Sequence, residues 1–229
     1  DGTIPTGTEE PRRHDTDRRV QVTPARLSGM SDDAMDGLCV RDCERCPDLV
    51  ASRSRIVNGV GPDDADLVFL GEAPGANEDE RGEPFVGRSG SVLDDALRDV
   101  GLARADVRIT NCVRCRPPEN RDPTKDELGN CRGYLERELE LLAPDLVVTL
   151  GKVPSEHLLE RSVAVTKEAG DVVDVRLGDR SQRVLVCVHP AATLYDRSQR
   201  DTFFDAVAKA ADLSGLADGA DGQSSLGDF

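Results

Sequence analysis

Four short apolar runs punctuate the middle of this sequence: Leu67 to Leu70, Val107 to Val113, Leu146 to Leu150 and Val184 to Val188. Runs of this length read as buried strands when helical patterns separate them. Such patterns are present. Val92 to Val100 follows a Gly90-Ser91 start, and Lys125 to Leu142 sets Leu128, Leu135, Leu139 and Leu142 on one stripe before Pro144 stops it. Ser155 to Leu159 and Asp201 to Leu213 are further helical candidates. Strand and helix in alternation imply βαβ units, so the expected fold is a three-layer α/β/α sandwich around a central, mainly parallel four-stranded sheet. Asp171 to Leu177 alternates apolar and polar residues and is expected as an edge strand or hairpin. Ligands of such sheets bind beyond the carboxyl ends of the strands. Here those ends read Gly71-Glu72-Ala73-Pro74-Gly75, Asn111, Gly151-Lys152 and His189-Pro190, which together suggest one crevice.

The flanks differ from this core. Residues 1–35 are polar and follow neither apolar period, so they read as a disordered extension, and residues 215–229 turn to Gly, Asp and Ser as a flexible tail. Residues 36–214 remain as a single domain, a reasonable size for one core. No apolar stretch approaches the ~20 residues that span a bilayer, and no secretory leader is visible, so a soluble, cytoplasmic monomer is expected. The formal charge of −15 looks unsuited to nucleic acid, because phosphate contacts need Lys and Arg. Its make-up is informative: Asp outnumbers Glu, and the only lysines are Lys125, Lys152, Lys167 and Lys209. That pattern resembles proteins of salt-loving microbes, in which molar salt shrinks the Debye length to ~3 Å. DNA binding there would rest on short-range hydrogen bonds, stacking and shape, so an acidic total does not exclude it.

Seven cysteines without an export signal point to thiols or metal ligands rather than disulfides. Cys43 and Cys46 form one C-x-x-C pair and Cys112 and Cys115 another, while Cys39, Cys131 and Cys187 stand apart. Spacing alone favours a four-thiolate zinc site from the two pairs, but Cys43, Cys46, Cys115 and Cys131 would equally suit a [4Fe-4S] cluster. Cys187 follows Val186 in an apolar run and reads as core.

Four further stretches occur in a telling order: Gly71-Glu-Ala-Pro-Gly75, Gly82-Glu-Pro-Phe-Val-Gly-Arg-Ser-Gly90, Thr110-Asn-Cys-Val-Arg-Cys-Arg-Pro-Pro118 with Asn120-Arg-Asp-Pro123, and His189-Pro-Ala-Ala192. With the cysteines at matching places, they resemble the ordered motifs of family 4 uracil-DNA glycosylases, over roughly Leu38 to Leu213. The resemblance implies hydrolysis of the N-glycosidic bond of uracil in DNA, the start of base excision repair. It also implies a structural [4Fe-4S] cluster on Cys43, Cys46, Cys115 and Cys131, and demotes Cys112 to a strand residue.

The chemistry of the residues agrees with that activity. A base must leave the stack and enter a closed pocket before an enzyme can act on it. In that pocket, lined by Gly71, Glu72 and Ala73, Phe85 would offer a flat face to the flipped ring. Asn111 would accept from uracil N3–H and donate to O4, a pattern that cytosine reverses. His189 would donate to O2 as the leaving base becomes an anion. The best-known uracil class has an Asp where this chain has Ala73, which leaves the water-positioning group open between Glu72, Glu78 and backbone carbonyls. Glu72 is preferred, as stabiliser of the cationic sugar, and Glu78 is a candidate for excluding thymine. Arg88 and Ser89 open a helix suited to a DNA phosphate, and Leu194 would fill the gap left by the flipped base. In the tail, Gln223, Leu226 and Phe229 have the spacing of a sliding-clamp-binding box. Two rivals are weaker. A dinucleotide enzyme would need G-x-G-x-x-G and would not place Pro74 in its loop, and a metal-dependent adaptor would leave Phe85, Asn111 and His189 without a task.

Overall fold

The computed structural model describes residues 35–216. The clamp-box residues Gln223, Leu226 and Phe229, and nearly all of the N-terminal extension, lie outside that range. The first elements are slight: β1 (Met35–Asp36) pairs antiparallel with β2 (Cys39–Val40), and α1 (Pro47–Ser52) opens on a proline whose missing N–H is no loss there. The body follows as β3 (Leu67–Gly71), α2 (Ala76–Arg81), α3 (Arg88–Asp99), β4 (Arg108–Asn111), α4 (Lys125–Leu142), β5 (Leu146–Leu150), α5 (Lys152–Leu159), β6 (Val172–Leu177), β7 (Arg180–Cys187) and α6 (Arg197–Leu213).

The main sheet runs β4-β3-β5-β7-β6. The first four strands are parallel, as expected, and the sheet gains a fifth, β6, the edge strand expected of Asp171 to Leu177, which joins antiparallel to β7. The Gly178-Asp179 turn makes β6 and β7 a hairpin, with Gly178 at φ 56°. An antiparallel edge on a parallel sheet is common, and the largely solvent-facing β6 explains why it reads as alternating rather than apolar.

Strand periodicity sorts the core into two layers. Leu67, Phe69, Leu146, Val148, Leu150, Leu185 and Cys187 meet Leu93 and Leu97 of α3 and Phe203 and Val207 of α6. Their strand neighbours Val68, Leu70, Val147, Val184 and Val186 meet Leu135, Leu139 and Leu142 of α4 and Leu158 of α5 on the opposite face. The result is the expected α/β/α sandwich. Among the described residues, no helix is long and apolar enough to cross a membrane.

Two features fix β4. Its free edge is covered by Val60, which exchanges backbone hydrogen bonds of 2.9 and 2.8 Å with Ile109. The next residue, Gly61, has φ +116°, and a Cβ there would collide with the Val107 carbonyl. On the α4 side, the fully buried Glu138 carboxylate accepts from Arg108 Nε at 3.0 Å, from Thr110 Oγ1 at 2.9 Å and from Arg114 Nη2 at 2.5 Å.

Candidate active site

Parallel pairing of β3 and β4 sets Gly71 directly opposite Asn111 at the strand ends. A side chain at Gly71 would collide with the Asn111 amide oxygen and with the Phe85 ring, so glycine here lets both close on one point. Gly71 and Asn111 continue the strand parity that faces α3, and the loop entering α3 carries Phe85. His189, two residues past the end of β7, brings its ring to 5.9 Å from that of Phe85, tilted by 33°. Phe85, Asn111 and His189, three residues far apart in sequence, thus share one face at the carboxyl end of the sheet.

Phe85 and His189 are each held in a defined state. Phe85 adopts φ 55°, a left-handed backbone that a bulky residue takes only under constraint. The constraint is visible: Arg104 donates to the Pro84 carbonyl at 2.6 Å and to the Phe85 carbonyl at 2.9 Å. From the other side the Glu78 carboxylate accepts from the N–H groups of Gly75, Val86 and Gly87 at 3.1, 3.0 and 3.2 Å. Glu78, a sequence candidate for meeting sugar or thymine, therefore spends both oxygens on shaping the Phe85 loop. His189 Nδ1 accepts from the Ala191 N–H at 3.1 Å. That bond assigns the ring proton of neutral imidazole to Nε2, and burial lowers the His189 pKa, which favours the neutral form.

Glu72 follows Gly71 with opposite strand parity and lies near Asp122 and Cys112 rather than with the His189 ring. Burial, and then the Asp122 carboxylate, raise its pKa to about 7. Ala73 packs against the small core of Val40, Leu49, Val113 and Tyr134. Asp122 belongs to the Asn120-Arg-Asp-Pro123 stretch of the ordered motifs, to which the sequence assigned no chemical role. Arg104 has no local signature.

On the rim, α3 starts at Arg88 with Gly87 as N-cap, leaving the N–H groups of its first turn free of helical partners, with Arg88 exposed and Ser89 half-buried. Leu194 is exposed at the end of the 3-10 turn that follows His189, and the adjacent Tyr195 is 82% exposed. The sequence named Leu194 but passed over Tyr195, whose exposure only the fold reveals.

Cys43, Cys46, Cys115 and Cys131 line one recess, together with Arg45, Leu49, Val50, Arg53 and Asn130. Cys112 and Cys187 are buried elsewhere in the core, and Cys39 is exposed on β2. Among the described residues, no three Cys, His, Asp or Glu side chains stand close enough to ligate one ion. Burial pushes the Cys131 thiol up to about 12 and raises Cys46 and Cys115. A soft metal group bound there would offset that burial and draw these thiols into the thiolate form.

The model of the uracil DNA glycosylase superfamily matches residues 58–212. A type-4 uracil-DNA glycosylase of Archaeoglobus fulgidus is 38% identical over 180 residues, covering 77% of this chain and 90% of that protein. One from Thermotoga maritima is 40% identical over 160 residues, 69% of this chain and 81% of its own. A type-5 enzyme of Thermus thermophilus is 36% identical over 148 residues, 51% of this chain and 67% of its own. The chain belongs to the uracil DNA glycosylase superfamily, with the type-4 enzymes.

Proposed function

We propose that this protein flips uracil out of DNA and hydrolyses its N-glycosidic bond, beginning the repair of deaminated cytosine. The observation that carries the reading is the convergence of Phe85, Asn111 and a neutral, Nε2-protonated His189 at the strand ends. The flipped ring stacks on Phe85. One Asn111 amide accepts from N3–H and donates to O4. His189 Nε2–H donates to O2, where negative charge grows as the bond to the sugar breaks, the kind of preorganised donor that lowers such a barrier by ~3–4 kcal/mol. Glu72, when ionised, stabilises the cationic sugar at the rim, with Gly71 and Ala73 as neighbouring backbone. Arg88 and Ser89 at the start of α3 meet a phosphate, and Leu194 with Tyr195 fills the vacated stack. A uracil-containing oligonucleotide, treated with the protein and then with alkali to cut abasic sites, should show strand breaks at uracil; no breaks with folded protein would overturn the reading.

The four cysteines that line the recess suit a [4Fe-4S] cluster, the group that the ordered motifs of the type-4 enzymes imply. When bound, the cluster would clip the segment around Cys43 to the loop after Asn111. Anaerobically purified protein is expected to be brown, and Cys131→Ala should bleach it while Cys112→Ala should not. Colourless protein with stoichiometric zinc would sink the assignment. The spacing of Gln223, Leu226 and Phe229 supports tethering to a sliding clamp, and deletion of residues 223–229 should abolish clamp binding by calorimetry if it does.

A further inference from the structure

Two of the four recess cysteines accept a side-chain hydrogen bond, and the other two have a donor close by. Arg53 Nη1 lies 2.9 Å from Cys115 Sγ, while Nη2 of the same guanidinium donates to the Cys43 carbonyl at 2.8 Å. Asn130 Nδ2 lies 3.4 Å from Cys46 Sγ. The backbone of Arg114 lies beside Cys131. The fourth donor is the hydroxyl of Tyr134, which is buried without an acceptor and adjoins Cys43. The Arg45 guanidinium sits 4.6 Å over the Tyr134 ring and lines the same recess. A buried phenol is seldom left unpaired, because the lost bond to water is not replaced. A thiolate on Cys43 would supply the missing acceptor, and a neutral thiol is a poor one.

Donors at two of the sulfurs and beside the other two are what ligating thiolates would use. Hydrogen bonds to ligating sulfur withdraw electron density from the metal group and favour its more negative state, which makes them a main lever on reduction potential. Two cationic guanidiniums along the recess act in the same direction. We infer that Tyr134, Asn130, Arg53 and the Arg114 N–H form a supporting shell that raises the reduction potential of the cluster and retains its iron. The inference rests on the iron-sulfur reading above and concerns positioning residues.

The test is a reductive titration of the anaerobic holoprotein with dithionite, followed by visible absorbance, on wild type, Tyr134→Phe and Asn130→Ala. In the titration the cluster takes up one electron from the titrant, with no bond made or broken. Tyr134→Phe is expected to shift the reduced-to-oxidised ratio at a fixed potential about tenfold toward oxidised, 59 mV for a one-electron couple. Asn130→Ala should shift it in the same direction by less, because its side chain is exposed. Both should speed iron loss to a chelator. Unchanged midpoints in both variants at full iron content would overturn the inference. Absence of iron from the wild type would instead overturn the cluster reading itself, and is known before any variant is made. Should Tyr134→Phe not fold, Asn130→Ala decides alone, since Asn130 lies on the surface of α4.

Discussion

His189 shows how one side chain acquires a chemical role from its immediate bonds. Its Nδ1 is occupied by the Ala191 N–H and its pKa is lowered by burial, so a neutral ring presents Nε2–H. His189→Ala should lower the single-turnover excision rate by about 10²- to 10³-fold, as loss of one such donor does; a change under tenfold would show that the ring does not meet O2. Asn111→Asp should blur the choice between uracil and cytosine, because a carboxylate offers no donor to O4, and competition between the two substrates reads this directly. Glu72 carries a pH prediction. With its pKa raised to about 7 by burial and Asp122, the carboxylate is ionised only above neutrality. If its charge stabilises the sugar cation, the excision rate should fall as pH drops through about 7, and Glu72→Gln should flatten that limb. These three residues were legible because each ends or follows an apolar run, where a polar residue stands out. Arg104, Asp122 and Tyr134 were not, since their meaning lies in contacts with residues distant in sequence, to which periodicity is blind.

Among the elements, α4 was read from the sequence with its ends in place. Thr124 caps it by accepting from the Glu127 N–H, and the Glu127 side chain answers to the Thr124 N–H at 2.7 Å, a capping box that the spacing announces. Glu127 also binds Arg121, and that bond, with those at Thr124, lowers its pKa to about 2. A lowered folded-state pKa stabilises above the ordinary carboxylate range and loses that contribution as pH falls toward 2. Glu127→Gln should therefore destabilise by about 1 kcal/mol at neutral pH, with the gap to wild type closing below pH ~4 in urea titrations. What the stripe of leucines did not reveal is Glu138, which a helical wheel would not distinguish from a solvent-facing acid. Burial opposes its charge, but Arg114 and Arg108 hold the carboxylate below its ordinary range. Removing it strands two buried guanidiniums, so Glu138→Ala should destabilise by roughly 3–5 kcal/mol in chemical denaturation. A surface-like loss under 1 kcal/mol would contradict the burial. Apart from that one residue, the five-stranded sheet departs from the expected four only where β6, half exposed, lacks the continuous apolar run that marks its neighbours.

At the scale of the molecule, a formal charge of −15 must coexist with DNA binding. Few phosphates can be neutralised, so the plot of log affinity for uracil-containing DNA against log salt should be shallow, well short of the slope of a protein making 6–10 phosphate contacts. Fluorescence anisotropy across a salt series measures it, and a steep negative slope would refute the short-range mode of binding. Charge of one sign also keeps copies of the protein apart, but not at every point of the surface. A parallel sheet ends in strands whose outward N–H and C=O groups can template another chain. On the β4 side, Val60 occupies those groups at Ile109, and it can do so because Gly61 lets the backbone turn tightly beneath the Val107 carbonyl. Gly61→Val would lever that segment away and leave β4 unguarded close to Asn111. The first sign should be aggregates in light scattering at temperatures below the unfolding transition, made from molecules that are still folded and joined edge to edge.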